Sequence, residues 1–271
     1  MRHGIASLLT ITATCAFVAP LPGVAADKPA VITALEGQGI EVVGPMPASG
    51  GLTGWAAHAG GRPVALYLTP DGKHVIAGTM LDVDGQDVTK AALQKAVAPV
   101  MSAKLWQQVE QSAWIADGKA NAPRVVYVFT DPNCPYCNKL WSDARPWVDA
   151  GRVQLRHVIV GILTPTSPGK AAALLAAADP VAALRAHESA HVASTTEMLK
   201  SGQPKPLEGK GLAPLKSIPA AISEKLNANQ AIMATWGLHA TPAVVWRDEK
   251  GAVQSRTGIP PALLPQIMGP L

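Results

Sequence analysis

Two cysteines stand at C-x-x-C spacing in the run Phe129-Thr130-Asp131-Pro132-Asn133-Cys134-Pro135-Tyr136-Cys137. That spacing suits reversible exchange between a dithiol and a disulfide, in which one thiolate attacks a partner sulfur and a second thiol displaces it. The flanking residues say how the pair is held. Arg124-Val125-Val126-Tyr127-Val128 is β-branched and aromatic and predicts a buried strand. Asn138-Lys139-Leu140-Trp141-Ser142-Asp143-Ala144 predicts a helix. Cys134 therefore falls at a helix N-terminus, where unpaired N–H groups and the helix dipole favour a thiolate. This makes Cys134 the expected nucleophile and Cys137 the expected resolving thiol. Pro135 and Tyr136 between them are expected to tune the thiolate through helix geometry and shielding.

The remaining cysteine supports a dithiol over a structural bridge. Met1-Arg2-His3 is a short positive segment, Ile5 to Val18 is apolar, and Val24-Ala25-Ala26 offers small residues at a cleavage site. Residues 1–26 thus predict a secretory signal peptide cut after Ala26, which removes Cys15. Thr12-Ala13-Thr14 is a poor lipobox, so a lipoprotein is disfavoured. Two cysteines remain, and a bridge closing so small a loop would add little through chain entropy.

The 271 residues carry 23 Lys and Arg against 19 Asp and Glu. An excess this small, without a basic block, gives no footprint for nucleic acid. No other apolar run is long enough to span a bilayer, so the processed chain is expected to be soluble and exported.

Residues 27–90 predict a small, mostly antiparallel unit. Ala30 to Leu35 reads as a short helix, Gly39 to Val43 as a strand, and Gly44 to Gly54 as a Pro- and Gly-rich connection. Val64 to Leu68 and His74 to Met80 flank the turn Thr69-Pro70-Asp71-Gly72 and predict a hairpin. So thin a core gains from pairing, which predicts a dimerisation unit. Residues 91–117 predict a linker helix, with apolar residues at three- and four-residue spacing and Pro99 breaking or kinking it.

Residues 118–271 predict the catalytic domain. After the C-x-x-C helix, kinked at Pro146, come a strand over Val153 to Gly161 and a helical insert over Lys170 to Leu199. An exposed loop over Ser201 to Ile218 and a helix over Glu224 to Trp236 follow. A hairpin through Ala243 to Trp246 and a terminal helix over Pro261 to Met268 complete the chain. This order is that of a thioredoxin-like domain with a helical insertion, an α+β class overall. Thr241-Pro242 then precedes the third strand, where thioredoxin folds carry a cis-proline facing the C-x-x-C pair. Thr241 is expected to offer backbone pairing to an extended substrate and to touch the Cys134 sulfur.

The run Phe129 to Cys137, together with Arg145-Pro146-Trp147-Val148-Asp149, Val153-Gln154-Leu155-Arg156 and Thr241-Pro242-Ala243, resembles the periplasmic disulfide isomerases of the DsbC/DsbG family. Cys-Pro-Tyr-Cys and Leu66-Tyr67-Leu68-Thr69-Pro70-Asp71-Gly72-Lys73-His74 look like its DsbG branch. The resemblance implies a V-shaped homodimer with a cystatin-like N-terminal domain, and a periplasmic location. It implies a dithiol kept reduced by a membrane thiol reductase of the DsbD type, and partly folded or oxidised proteins as substrates. Reduction of sulfenylated cysteines and some chaperone activity are implied as well. No cofactor is implied. Competing readings are an oxidase of the DsbA kind, against which the N-terminal unit argues, and a cysteine-independent holdase.

Two further sites have sequence readings. Asp131 reads as a turn residue before Pro132, with a charged relay near Cys137 as the other reading. His187-Glu188-Ser189-Ala190-His191 matches H-E-x-x-H, a zinc-site pattern. Its third ligand is lacking, with Glu197, Glu208 and Glu224 as unsupported candidates, so it reads as a solvated helix face and no metal is assigned.

Overall fold

The computed structural model describes residues 28–271. The expected signal peptide, residues 1–26, lies outside them. The first part of the chain is one helix and a four-stranded antiparallel sheet. Helix α1 is Ala30–Glu36, and β1 (Glu41–Met46), β2 (Thr53–Ala59), β3 (Arg62–Leu68) and β4 (Val75–Ala77) pair in chain order. Strand alternation sorts the side chains onto two faces. Trp55, Ala57 and Leu66 pack with Ile32 of α1. Ala56, Ala65 and Tyr67 pack with Val97 of α2 (Lys90–Gln111). Strand β2 falls partly in the expected Pro- and Gly-rich connection. It carries alanines because both of its faces are covered.

Helix α2 is shorter than the expected 91–117. It ends at Gln111, and Trp114–Asp117 forms strand β5 of the second sheet. The helical spacing continues past Gln111, but Asn229 caps the end instead. Its side chain accepts from the Ala113 N–H at 3.1 Å and donates to the Ala113 carbonyl at 2.8 Å. Pro99 lies inside the continuous helix rather than ending it. Val97 packs under the first sheet, whereas Leu105 and Val109 pack under the second. The two parts also meet at the β2–β3 turn. A side chain at Gly61 (φ +75°) would fall 2.1 Å from the Thr235 carbonyl, so only glycine fits there.

The second sheet has the order β5-β7-β6-β8-β9, with β6 Arg124–Thr130, β7 Val153–Ile159, β8 Ala243–Arg247 and β9 Val253–Thr257. Strands β6 and β7 are parallel and the other pairs antiparallel. Both faces are covered, which explains the unbroken apolar run of β6. Val126 and Val128 face Leu140, Trp147 and Ile267, while Tyr127 and Phe129 face Val109 and Met233. Each fully buried side chain of this size contributes about 1.5–3 kcal/mol.

Helix α3 (Pro135–Asp143) follows β6, and a break at Ala144 leads into α4 (Arg145–Asp149). Pro146 cannot supply the N–H that would continue α3. The expected insert helix is two helices, α5 (Ser167–Leu175) and α6 (Pro180–Lys200), with Asp179 capping the second through the Ala182 N–H. Helix α7 is Ala220–Thr235, and a short α8 (Leu264–Met268) ends the chain. Among the described residues, no helix is long and apolar enough to cross a membrane.

Candidate active site

Strand β6 delivers Cys134 to the end of the sheet, where it becomes the N-cap of α3. Its φ and ψ of −86° and 112° are extended, and its Sγ accepts the Cys137 N–H at 3.2 Å. Pro135 occupies the first helical turn, where its missing N–H costs nothing. Both thiols are free and buried, whereas Tyr136 between them is 51% exposed. The Cys134 thiol also donates to the Thr241 carbonyl at 3.4 Å, and the Thr241–Pro242 bond is cis. Cys134, Pro135, Tyr136, Cys137, Thr241 and Pro242 are thus brought to one place.

The electrostatics of the two sulfurs diverge. The Cys137 thiol hydrogen-bonds the Cys134 sulfur and pulls its pKa down. Burial opposes this, and Thr241 and the N–H groups of Cys137 and Tyr136 add to the lowering. Cys137 is pushed well up, first by burial and then by the Cys134 thiolate. The two pKa values are thus drawn apart, Cys134 downward and Cys137 upward.

Beside the pair runs a groove of about 600 Å³, lined among others by Tyr136, Leu199, Thr241, Pro242, Ile259 and Leu264. Its lining is mainly apolar, with Lys139 and Asp143 paired at one edge.

Asp131 fills its turn role, accepting the Asn133 N–H at 2.8 Å. Its buried carboxylate does more than the turn requires. It accepts from the Ile162 and Leu163 N–H groups at 2.7 and 2.9 Å and from Ser167 Oγ at 2.8 Å. This fastens the β7–α5 connection beside the cysteines.

The expected exposed loop, Ser201 to Ile218, is partly an active-site wall. Leu207 is buried, and its N–H donates to the Asn133 carbonyl at 2.9 Å. Lys170, almost fully buried, donates to Asn133 Oδ1 at 2.8 Å and to the Leu207 carbonyl at 2.6 Å. Burial lowers the Lys170 pKa. Lysine and proline content suggested solvent, but a lysine on another helix supplies the anchoring donor.

The H-E-x-x-H turn is likewise not solvated. His187, Glu188 and His191 are all buried. His187 Nε2 bonds the Pro132 carbonyl at 2.7 Å, and His191 Nδ1 bonds the His187 carbonyl at 2.8 Å. Burial drives the His187 pKa down to about 4. The backbone thus takes both ring nitrogens of His187, the second from the Leu212 N–H at 3.4 Å, and one of His191. No cluster of three or more metal-ligating side chains occurs among the described residues.

Beneath α3 lies a buried charge cluster that sequence reasoning missed. Arg145 grips Asp117 with both terminal nitrogens, Nη1 to Oδ1 at 3.1 Å, and stacks over Trp141 at 4.1 Å. His157 approaches the same carboxylate at 3.8 Å. Burial alone would raise the Asp117 pKa, but these two partners outweigh it and hold the carboxyl well below its ordinary range.

Comparison with known proteins accords with this arrangement. Residues 22–90 match the disulfide bond isomerase protein N-terminal domain, and residues 113–267 match a thioredoxin-like domain. The chain is 46% identical over 253 residues to the thiol:disulfide interchange protein DsbG of Pseudomonas aeruginosa, covering 93% of each. It is 38% identical over 250 residues to the protein of the same name from Escherichia coli, covering 90% of this chain and 92% of that one. Among solved structures, Helicobacter pylori DsbG aligns over 80% of this chain and 98% of its own at 19% identity, with a TM-score of 0.38.

Proposed function

The chain belongs to the DsbG family of thiol:disulfide interchange proteins, and on that premise we propose that it is a periplasmic reductase and isomerase working through Cys134 and Cys137. The observation that carries the assignment of roles is the placement of Cys134 Sγ. It caps α3, accepts the Cys137 N–H, and lies against Thr241 beside the cis-proline.

The steps follow from that geometry. The Cys134 thiolate attacks a substrate disulfide, forming a mixed disulfide and expelling the other substrate sulfur as thiolate. Cys137 then attacks Cys134, and the second substrate sulfur leaves. In isomerisation the substrate's own free thiol displaces Cys134 instead, and no net oxidation occurs. At a sulfenic acid the same first attack expels hydroxide, which leaves as water. Thr241 pairs with an extended substrate backbone, and the apolar groove takes side chains of a partly folded chain. Two electrons are consumed per reduction, so a membrane thiol reductase of the DsbD type must return them.

The N-terminal unit, residues 27–90, serves as the homodimerisation element. This is supported by its three-residue edge strand β4 and the exposed apolar residues Ile76, Leu81 and Val83 near it.

The test is trapping. Cys137→Ala should accumulate mixed disulfides with oxidised substrate proteins, and Cys134→Ser should form none. A Cys134→Ser protein that reduces disulfides at the unaltered rate sinks this reading and leaves the holdase.

A further inference from the structure

Glu188 is the buried acid that the thiol chemistry above leaves unused. It is 2% exposed, on the face of α6 that packs on α3. Asn138, the residue after Cys137, spends both amide hydrogens on it. Nδ2 donates to Glu188 Oε2 at 2.6 Å and to the Glu188 carbonyl at 2.8 Å. The adjacent cation, Arg145, is already committed to Asp117. Burial raises the Glu188 pKa, and a charge on Glu188 in turn pushes the Cys137 thiol up. The groups that act on it come from four other elements: Asp117 on β5, Arg145 on α4, His157 on β7, and Asn138 and Cys137 on α3.

From this placement we infer that Glu188 accepts the Cys137 proton when the mixed disulfide is resolved and returns it when the pair is reduced. The inference rests on the thiol-exchange reading above. In the mixed disulfide, Cys134 Sγ is bonded to a substrate sulfur. The Cys137 proton passes to the Glu188 carboxylate. The Cys137 thiolate then bonds to Cys134 Sγ as the Cys134–substrate bond breaks, and the substrate sulfur departs with the electron pair as a thiolate. The pair is oxidised, the substrate is reduced, and the proton stays on Glu188 until Cys137 is re-formed as a thiol.

Charge counting explains why a carboxyl is needed. A buried site whose neighbouring cation is already paired holds one further negative charge at considerable cost and two at far greater cost. Handing the proton from Cys137 to Glu188 keeps the count at one. The surroundings also offer a path for it. Seven buried side-chain polar atoms among the described residues make no hydrogen bond, and five of them lie on α3, α6 and β7: Asn138 Oδ1, Trp141 Nε1, His157 Nε2, His191 Nε2 and Thr195 Oγ1. Buried polar atoms in this condition recruit water, which lets a proton enter and leave the seam.

Glu188→Gln tests the inference, because the amide keeps an oxygen for Asn138 but cannot take the proton. Reduced protein is mixed with oxidised glutathione, quenched with acid, and the mixed disulfide is followed by mass across a pH series. Formation of the Cys134–glutathione adduct should be unchanged. Its resolution should slow by about 100-fold, the scale of lost general base catalysis. The resolution rate of the unaltered protein should rise with pH through the Glu188 titration and level off, and that inflection should vanish in the variant. A Gln variant that resolves at the unaltered rate with the same pH profile overturns the inference alone. An unaltered protein that forms no adduct overturns the thiol-exchange reading and this inference together. If the variant does not fold, carboxyl-labelled glutamate in the unaltered protein decides. One glutamate resonance should titrate above the ordinary range in the dithiol form and move on oxidation. Identical titrations of every glutamate in both forms overturn the inference.

Discussion

The Leu207 N–H donates to the Asn133 carbonyl at 2.9 Å, which ties the loop after α6 to the residue that precedes the nucleophilic sulfur. Lys170 closes the same corner, bonding Asn133 Oδ1 and the Leu207 carbonyl from below.

Replacing Lys170 by Met keeps the stem volume and deletes the donor. Two buried acceptors then lack a partner, which costs about 1–3 kcal/mol each before relaxation. A loss of about 2 kcal/mol in denaturant unfolding is expected, with faster hydrogen exchange at the Leu207 amide. Unchanged exchange there would show that the loop is held by other contacts.

The Cys134 pKa should depend on its neighbour more than on the helix. The Cys137 thiol is the largest contributor to its lowering, ahead of Thr241 and the backbone N–H groups. Cys137→Ala should therefore raise the Cys134 pKa toward that of an ordinary thiol, read as thiolate absorbance against pH. A pKa that stays put would assign the lowering to the helix terminus instead.

His187 gives the stability curve a slope in mild acid. Its folded pKa, about 4, lies below the unfolded value of about 6.5. Between these values the unfolded state binds the extra proton, so stability is full above pH 6.5 and falls as pH drops toward 4. The loss reaches up to about 3 kcal/mol. Chemical denaturation at several pH values measures it, and the slope should be reduced in His187→Gln.

Asp117→Asn should leave the Arg145 guanidinium half-paired under α3. Removing one partner of a buried ion pair costs about 3 kcal/mol near neutral pH. The Asp117 pKa is depressed in the folded state, so its contribution is present above about pH 4 and lost as pH falls further. The gap between variant and unaltered protein should therefore narrow in acid, and a gap independent of pH would contradict the ion-pair origin.

Gly211→Ala should loosen the wall over the histidines. Gly211 has φ +77°, and an added Cβ would fall 2.9 Å from His187 Nδ1 and from His191 Cε1. Strain and crowding together should cost about 1–3 kcal/mol. The variant's melting temperature checks this, with Gly209→Ala as the control because its added Cβ would meet open space.

The parts of this molecule legible in its sequence are those whose chemistry is local. The strand-to-helix handover at Cys134 follows from a β-branched run meeting a helix former, and Thr241-Pro242 from a proline ahead of an apolar run. Strand β2 is hidden because Gly54-Trp55-Ala56-Ala57 has small residues in place of β-branched ones, a choice dictated by helices on both faces. Strand β5 is masked because Trp114 and Ile115 extend the spacing of α2. The burial of Lys170 and Glu188 was not readable at all. Periodicity reports that a helix has two faces, not which charged residue a neighbouring helix or loop will enclose. Both residues stand on α5 and α6, whose partners lie more than 30 positions away in the chain.

Helix α2 is pinned along its length. Its first turns sit under one sheet and its last under the other, Lys104 pairs with Glu41, and Ser102 Oγ donates to the Val253 carbonyl. Its 22 residues at about 1.5 Å each give a strut of about 33 Å. A strut gripped at both ends acts as a ruler. The standoff between the first sheet and the sulfur pair is written into the number of turns, so lengthening α2 by four residues would shift the sulfurs by about 6 Å and swing them by about 40° around its axis.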